Sequence, residues 1–323
     1  MTPVETLHAA IERRAALAED PLSTAYRVVN AEGDGLPGVT VDLFEDVLVL
    51  SLYRVLAEPE ERALVDALVH AISPRAIYVK RRPREARVVA NTQKSDVAPE
   101  LPVHGGPVAS LIALENGVRY QIRPAQGLSV GLYLDMREVR AWLAARARGE
   151  TVLNCFAYTC GFGIAAALQG AARAVNVDLS RRVLDWGEEN LTLNGLSPQR
   201  RDFISGDVFD WLSRFAKKEE TFDAVVLDPP SFASTRKAVF SAERDYPKLA
   251  AAGAAVVARG GTLLACCNQA SVSAARFTAL VDEGLARADR RLVSSVVLGP
   301  SPVDFPAPPG QAPALKVIAL TLE

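Results

Sequence analysis

The chain reads as an α/β protein: a doubly wound, Rossmann-like domain preceded by a small α+β region. Three observations predict this class. From about residue 138, short apolar runs alternate with helix-length amphipathic segments, the order that builds a mostly parallel sheet covered on both faces. Before that point the apolar runs are short, β-like and separated by turn residues, with no repeat. The runs of the second half also end in acidic or polar residues, as in NVDLS, SGD and LDPP. That gathers polar chemistry at the carboxyl edge, where α/β sheets bind ligands.

Taken in order, Leu7, Ile11, Ala15 and Leu17 lie between charges over residues 4–18, at helical spacing. The β-like runs YRVV, VTVD and VLVLSLY follow, with the turn-rich GDGLPG between the first two. EPEERALVDALVHAI has the period of a helix, with Pro59 in its first turn. AIYVK leads into the basic KRRPREAR and then LIALENGVRYQIRP, where Asn116-Gly117 between alternating apolar residues predicts a hairpin. Beyond it come helix REVRAWLAARA, strand TVLNCF, helix GIAAALQGA, strand AVNVDLS, helix RRVLDWGEENLTLNG, and strands DAVVLD and GTLLACC. PVDFPAPPG is a proline-rich loop that covers a cleft or leads into the final strand LKVIALTLE. We place the domain boundary between residues 1–125 and 126–323.

Composition excludes several classes. A chain of 323 residues, 49% of them hydrophobic, is long enough for two cores. No apolar run reaches the roughly 20 residues of a membrane span, and the N-terminus carries no cleavable apolar signal. The 4 cysteines, Cys155, Cys160, Cys266 and Cys267, form no secreted disulfide framework, and with 3 histidines they make a poor zinc site. A reducing, cytoplasmic setting is expected. The net charge of −2 leaves only a local surface for nucleic acid. KRRPREAR, with Arg81, Arg82, Arg84 and Arg87, is the densest such stretch, and serves as a phosphate-docking surface or a solvated loop.

FAYTCGFG follows a strand and opens a helix, so Gly161 and Gly163 are expected to let a ligand approach the backbone. Many strand-to-helix turns carry glycine, and the neighbouring strand ends sharpen the reading. Asp178 closes the next strand, where a carboxylate accepts both ribose hydroxyls of a nucleoside. Asp207 stands where it can hold an adenine amine, and DPPSF, residues 228–232, ends the following strand. The glycines do not form G-x-G-x-x-G, which disfavours a nicotinamide cofactor.

Together NAEGDGLPGVTVD (30–42), VGLYLDMR (130–137), NCFAYTCGFG, VDLS, ENLTLNG, LDPPSF and LLACC resemble the class I S-adenosylmethionine-dependent methyltransferases. Within that class they resemble the bacterial 23S ribosomal RNA enzymes that make 5-methylcytosine. The resemblance implies a mostly parallel seven-stranded sheet, S-adenosylmethionine as cofactor, ribosomal RNA as partner, and neither metal nor membrane. It leaves monomer and homodimer both open. It places Tyr133, Asp135, Arg137, Asn154, Phe156, Tyr158, Thr159, Gly161, Asp178, Leu179, Asp207, Val208 and Asp228 around the cofactor. Pro229, Pro230 and Phe232 would meet the substrate, with Asp228 and Cys266 catalytic. Relatives carry an N-terminal PUA domain, which this chain is expected to lack. They also have glutamine where GLSVGLYLDMR has Leu128, and DLSRRVLDWGEENL resembles a sister group that methylates guanine N7.

The implied chemistry needs a thiol. C5 of cytosine is too weak a nucleophile until a cysteine thiolate adds to C6, and elimination later releases the enzyme. Asp228 would bind the cytosine amine and N3 while Phe232 stacks on the flipped base. A nearby positive charge should favour the thiolate. Cys155 and Cys160 are expected to fill space. Alignment through SVSAARF puts Cys266 on the family's catalytic position and Cys267 on a serine neighbour. Successive strand residues face opposite ways, so one thiol is expected to open on a cleft and the other to pack. Guanine N7 methylation, which needs no thiol, is the alternative.

Overall fold

Alternating Val, Leu and Ile in the first half form a five-stranded sheet ordered β1-β2-β3-β4-β5. Its strands are β1 (Ala25–Asn30), β2 (Val39–Phe44), β3 (Val47–Leu52), β4 (Ala76–Arg81) and β5 (His104–Gly105). The computed structural model describes residues 3–82, 97–230 and 240–323. One unit comprises Met1–Asp135 with Ser301–Pro313, and the other Met136–Pro300 with Ala314–Glu323. The first unit therefore runs past residue 125 and takes in the proline-rich loop, because that loop's partners lie near the N-terminus.

In the first unit, helices α1 (Pro3–Arg13) and α2 (Ala15–Ala18) precede the sheet, and α3 (Glu58–Ile72) joins β3 to β4. That crossover makes β3 and β4 parallel, while β1–β2 and β2–β3 are antiparallel. Val41, Leu48, Leu50, Ile77 and Val79 point to one face and pack with Leu7 of α1 and Leu68 of α3. β6 (Leu111–Glu115) and β7 (Val118–Ile122) form the expected hairpin. Both turn residues, Asn116 (φ 49°) and Gly117 (φ 80°), are left-handed, as a two-residue type I′ turn requires. Arg14, 1% exposed, binds both carboxylate oxygens of Asp34 at 2.7 and 2.6 Å and the carbonyl of Asp304 at 3.0 Å. Asn30 donates to the carbonyl of Pro306, and the guanidinium of Arg27 lies 4.6 Å from the Phe305 ring centroid.

The second unit is built on a seven-stranded sheet ordered β10-β9-β8-β11-β12-β14-β13. Its strands are β8 (Thr151–Cys155), β9 (Arg173–Asp178), β10 (Phe203–Ser205), β11 (Phe222–Leu227), β12 (Val257–Cys267), β13 (Leu292–Leu298) and β14 (Lys316–Leu322). All neighbours are parallel except β14, which runs against β12 and β13. The expected fold class holds. Helices α4 (Arg137–Ala144) and α5 (Gly161–Leu168) cover one face through Val139, Leu143 and Phe162. Helices α7 (Val208–Lys217), α8 (Ala242–Ala254) and α9 (Ala274–Arg287) cover the other through Leu212, Leu249 and Leu280. With α6 (Arg181–Leu193) following β9, strand order reverses between β8 and β11. That is the switch point at which doubly wound sheets bind ligands.

A Cβ on Gly33 would lie 1.8 Å from the carbonyl oxygen of Pro306, whereas one on Gly106 meets nothing within 4 Å. Gly33→Ala should cost about 1–3 kcal/mol by overpacking and Gly106→Ala much less. Urea denaturation of both variants checks this, and equal stabilities would deny the close approach.

Candidate active site

Register brings the expected site to one edge. Leu227 of β11 pairs with Cys155 of β8 and with Ala265 of β12. The residues one step further are Phe156, Asp228 and Cys266. Cys155 pairs with Val177, and Asp178 with Ser205, which adds Asp178, Gly206 and Asp207 to the same edge.

The β8–α5 turn has an unusual backbone. Phe156 (φ 59°), Tyr158 (φ 49°) and Cys160 (φ 65°) are all left-handed, a conformation that costs a non-glycine residue roughly 1–2 kcal/mol. Asp178 braces the turn: one carboxylate oxygen accepts from the Tyr158 N–H at 2.9 Å and the other from the Ser180 N–H at 2.9 Å. Burial raises the Asp178 carboxyl above its ordinary value, and the N–H groups of Ser180, Tyr158 and Leu179 oppose the rise. The carboxylate keeps partial exposure at the strand end, beside the exposed Leu179. Alternating backbone handedness of this kind aims successive N–H groups into one concavity.

The glycines also serve packing. A Cβ on Gly163 would sit 2.3 Å from the Asn176 side-chain oxygen, and one on Gly161 3.3 Å from Cδ of Arg140. Asn176 also accepts from Asn154 at 2.9 Å, so Asn154 is held in the core at 1% exposure. Thr159 is buried too. Asp207 caps α7, accepting from Phe209 N–H at 2.8 Å and Asp210 N–H at 3.4 Å through one oxygen, and Val208 is buried behind it.

Asp228 ends β11 half-buried, followed by a buried Pro229 and an exposed Pro230; Phe232 lies outside the described residues. Tyr133 and Asp135 belong to the first unit and Arg137 to the second. Tyr133 shares a hydrogen bond with Ser129 at 2.8 Å, and Arg137 donates to Glu138. Arg81 pairs with Glu61, Arg82 donates to the Leu128 carbonyl, and Arg84 and Arg87 lie outside the described residues.

Cys266 and Cys267 point to opposite faces as expected, and both are buried. Cys266 packs with Val226, Leu264 and Val317, and Cys267 with Leu227, Leu263 and Ile318, because helices or strand ends cover both faces. Tyr246, missed in the sequence, ties the two strand ends: its hydroxyl donates to the carbonyls of Cys266 at 2.9 Å and Leu227 at 3.4 Å. A lone tyrosine within a helical period carries no signal for that role. Lys316 stands across from Cys267 in register and donates to the Gln269 carbonyl at 2.8 Å. Burial pushes the Cys267 thiol up and Asp228 adds to the rise, while the Gln269 N–H and the Lys316 ammonium oppose it. Cys155 and Cys160 are buried, and burial raises both thiols, in keeping with packing roles. No group of acidic, histidine or cysteine side chains among the described residues could hold a metal, and no described helix is long and apolar enough to cross a membrane.

A family model described as S-adenosylmethionine-dependent methyltransferase matches residues 29–318. YwbD of Bacillus subtilis is 35% identical over 286 residues, covering 87% of this chain and 70% of that protein. Ribosomal RNA large subunit methyltransferase I of Vibrio cholerae is 38% identical over 245 residues, covering 75% of this chain and 60% of that protein. The chain thus spans only part of the length of these curated relatives. The crystal structure of SMU.776 complexed with SAH superposes with a TM-score of 0.85 at 29% identity, covering 98% of this chain and 80% of that one.

A Cβ on Gly187 would fall 2.4 Å from the Cys160 sulfur. Gly187→Ala should therefore cost about 1–3 kcal/mol in the wild-type background, and far less in Cys160→Gly. A double-mutant cycle by urea denaturation should give a coupling of at least ~1 kcal/mol; additive effects would separate α6 from the turn.

Proposed function

Because the chain belongs to the S-adenosylmethionine-dependent methyltransferases, we propose that it methylates C5 of a cytosine in large-subunit ribosomal RNA through a covalent cysteine intermediate. The observation that carries this reading is the meeting of Asp178, Asp228 and a β12 thiol on one sheet edge. The names of the Vibrio cholerae relative and its kin supply the RNA. The cofactor supplies an electrophilic methyl group when bound, and the donor set fits it. The partly exposed Asp178 carboxylate would take the ribose hydroxyls, and Asp207 the adenine side. Asn154, Phe156, Tyr158, Thr159, Gly161, Leu179 and Val208 would shape the pocket between them. Tyr133, Asp135 and Arg137 are assigned to the same ligand by resemblance alone.

Asp228 would hold the cytosine amine and N3, with Pro229, Pro230 and Phe232 fixing the base plane. The Cys266 thiolate attacks C6, and the C5–C6 electron pair moves to C5, which takes the methyl group. Loss of the C5 proton to a base then expels the thiolate and restores the ring. A second assignment has its own observation: Lys316 is the positive charge beside a β12 thiol, and that thiol is Cys267. Methylation of guanine N7 would need neither cysteine.

Asp178→Asn keeps one acceptor for the turn while losing the charge. It should weaken S-adenosylmethionine by ~1.5–3 kcal/mol, roughly ten- to a hundredfold, in a calorimetric titration; unchanged affinity would move the ribose elsewhere. RNA carrying 5-fluorocytosine distinguishes the thiols, since fluorine at C5 blocks the final elimination. Wild type and Cys267→Ala should form adducts that survive a denaturing gel, and Cys266→Ala should not. Adducts lost only in Cys267→Ala would transfer the role to the Lys316-paired thiol. Normal methylation by both variants would favour the guanine reading.

A further inference from the structure

The first unit's sheet is buried on both faces, and Phe44, Val49 and Tyr78 give the second face an apolar part of its own. One face is apolar and covered by α1 and α3. The other carries a row of polar side chains at successive register positions: Thr40 of β2 pairs with Ser51 of β3, and Ser51 with Lys80 of β4. All three are buried, at 4%, 3% and 0% exposure. Two residues further along the same face stand Tyr53 and Arg82, with the guanidinium 5.9 Å from the Tyr53 ring centroid. Tyr53 is exposed and Arg82 partly so, so the row runs from the surface inward.

Three buried polar atoms on this face, Thr40 Oγ1, Lys80 Nζ and Arg82 Nε, find no hydrogen-bond partner among the described residues. A buried amine without a partner or counter-charge is costly, and a second cation two residues away adds repulsion. The carboxylate on this face is already used: Asp42 is bound by Arg27 at 2.7 and 3.1 Å. Asp135 acts on Arg27 as well. Lys80 is therefore left facing Arg82, with the Tyr78 ring centroid 5.7 Å from its ammonium. Two cationic residues whose backbone positions stand about 6.6 Å apart along a strand, with hydroxyls on the neighbouring strands, offer complementary charge and donors to one tetrahedral oxyanion.

We propose that Thr40, Ser51, Lys80 and Arg82 form a binding site for one phosphodiester group of an RNA strand. The site rests on the RNA reading of the preceding subsection. A non-bridging phosphate oxygen between Lys80 and Arg82 offsets their repulsion, and the Thr40 and Ser51 hydroxyls donate to the other non-bridging oxygen. The long lysine stem lets the ammonium swing toward the exposed rim at Tyr53 to meet the strand.

The protonation of Lys80 gives the site a signature. Burial, with Arg82 adding to it, pushes the amine down to about 8 from its ordinary 10.5. The anion binds the protonated form, so RNA affinity should be greatest below about pH 8 and fall as pH rises through it. In the free protein the sign is opposite for stability: the unfolded chain holds the extra proton between about 8 and 10.5, so stability rises with pH across that window. The other charged groups facing the row are Arg82 and the Arg27–Asp42 pair.

The test compares wild type, Lys80→Met and Lys80→Arg in filter binding to protein-free 23S ribosomal RNA at several salt concentrations and at pH 7 and 9. Lys80→Met should bind roughly tenfold more weakly, with the slope of log K against log salt reduced by ~0.7–0.9, and should lose the pH dependence. Lys80→Arg should restore affinity without restoring the pH dependence. Calorimetry with S-adenosylhomocysteine should give equal affinities for all three, and Lys80→Met should melt at or above the wild-type temperature. Wild-type affinity and slope in Lys80→Met would overturn the site alone. A selective loss of S-adenosylhomocysteine affinity would assign the amine to the cofactor's carboxylate instead. Wild-type protein that holds no RNA would end the RNA reading, and the site with it.

Discussion

Asp178 stands where β9 stops, and its two oxygens hold the first N–H groups of two different connections. The ligand edge of the second unit depends on that bridge. Three left-handed non-glycine residues within five positions are tolerated only when the surroundings over-determine them. The carboxylate supplies one fixed point, the Cys160 sulfur pressed on Gly187 a second, and Gly163 against Asn176 a third. The same carboxylate is the proposed ribose acceptor, so one group both shapes the turn and reads the ligand. Partial burial makes this dual role workable: enough to hold the turn, not enough to hide the charge from a nucleoside.

The second unit was legible in the sequence because parallel strands covered on both faces write themselves as continuous apolar runs. TVLNC, NVD and AVVL needed no partner to be recognised, and Asn116-Gly117 announced its hairpin by turn chemistry alone. β13 escaped notice because LVSSVVL is an exposed edge strand without an inward face to impose alternation. β10 is three residues long, too short for a period. Within the site, residue types at strand ends were readable, since they follow from where each apolar run stops. Their supports were not. Tyr246, the Gly163–Asn176 contact and the left-handed Cys160 depend on what lies across the sheet or in the next turn. The same blindness explains why the side chains packed against these glycines could not be read from the sequence.

Two buried cations in the first unit are treated in opposite ways. Arg14 is saturated: both Asp34 oxygens and the carbonyls of Ala10, Arg27 and Asp304 accept from it. A charge so completely answered is structural, and a planar fork of five donors suits it. Lys80, at least as buried, is answered by an aromatic face and opposed by a guanidinium. Burial alone does not separate a structural cation from a functional one; the completeness of its hydrogen bonding does.

The excursion of Ser301–Pro313 into the first unit has a consequence for biosynthesis. A ribosome delivers the N-terminal strands first, at roughly 5–20 residues per second. The carbonyls that receive Arg14 and Asn30, and the ring that covers Arg27, arrive only after β13 has been made. Until then the nascent first unit carries its buried arginine with part of its acceptor set missing. The second unit is equally incomplete, because β14 follows the excursion and separates β12 from β13. Ser301–Pro313 completes the first unit and β14, directly after it, completes the second, so the two become whole in close succession.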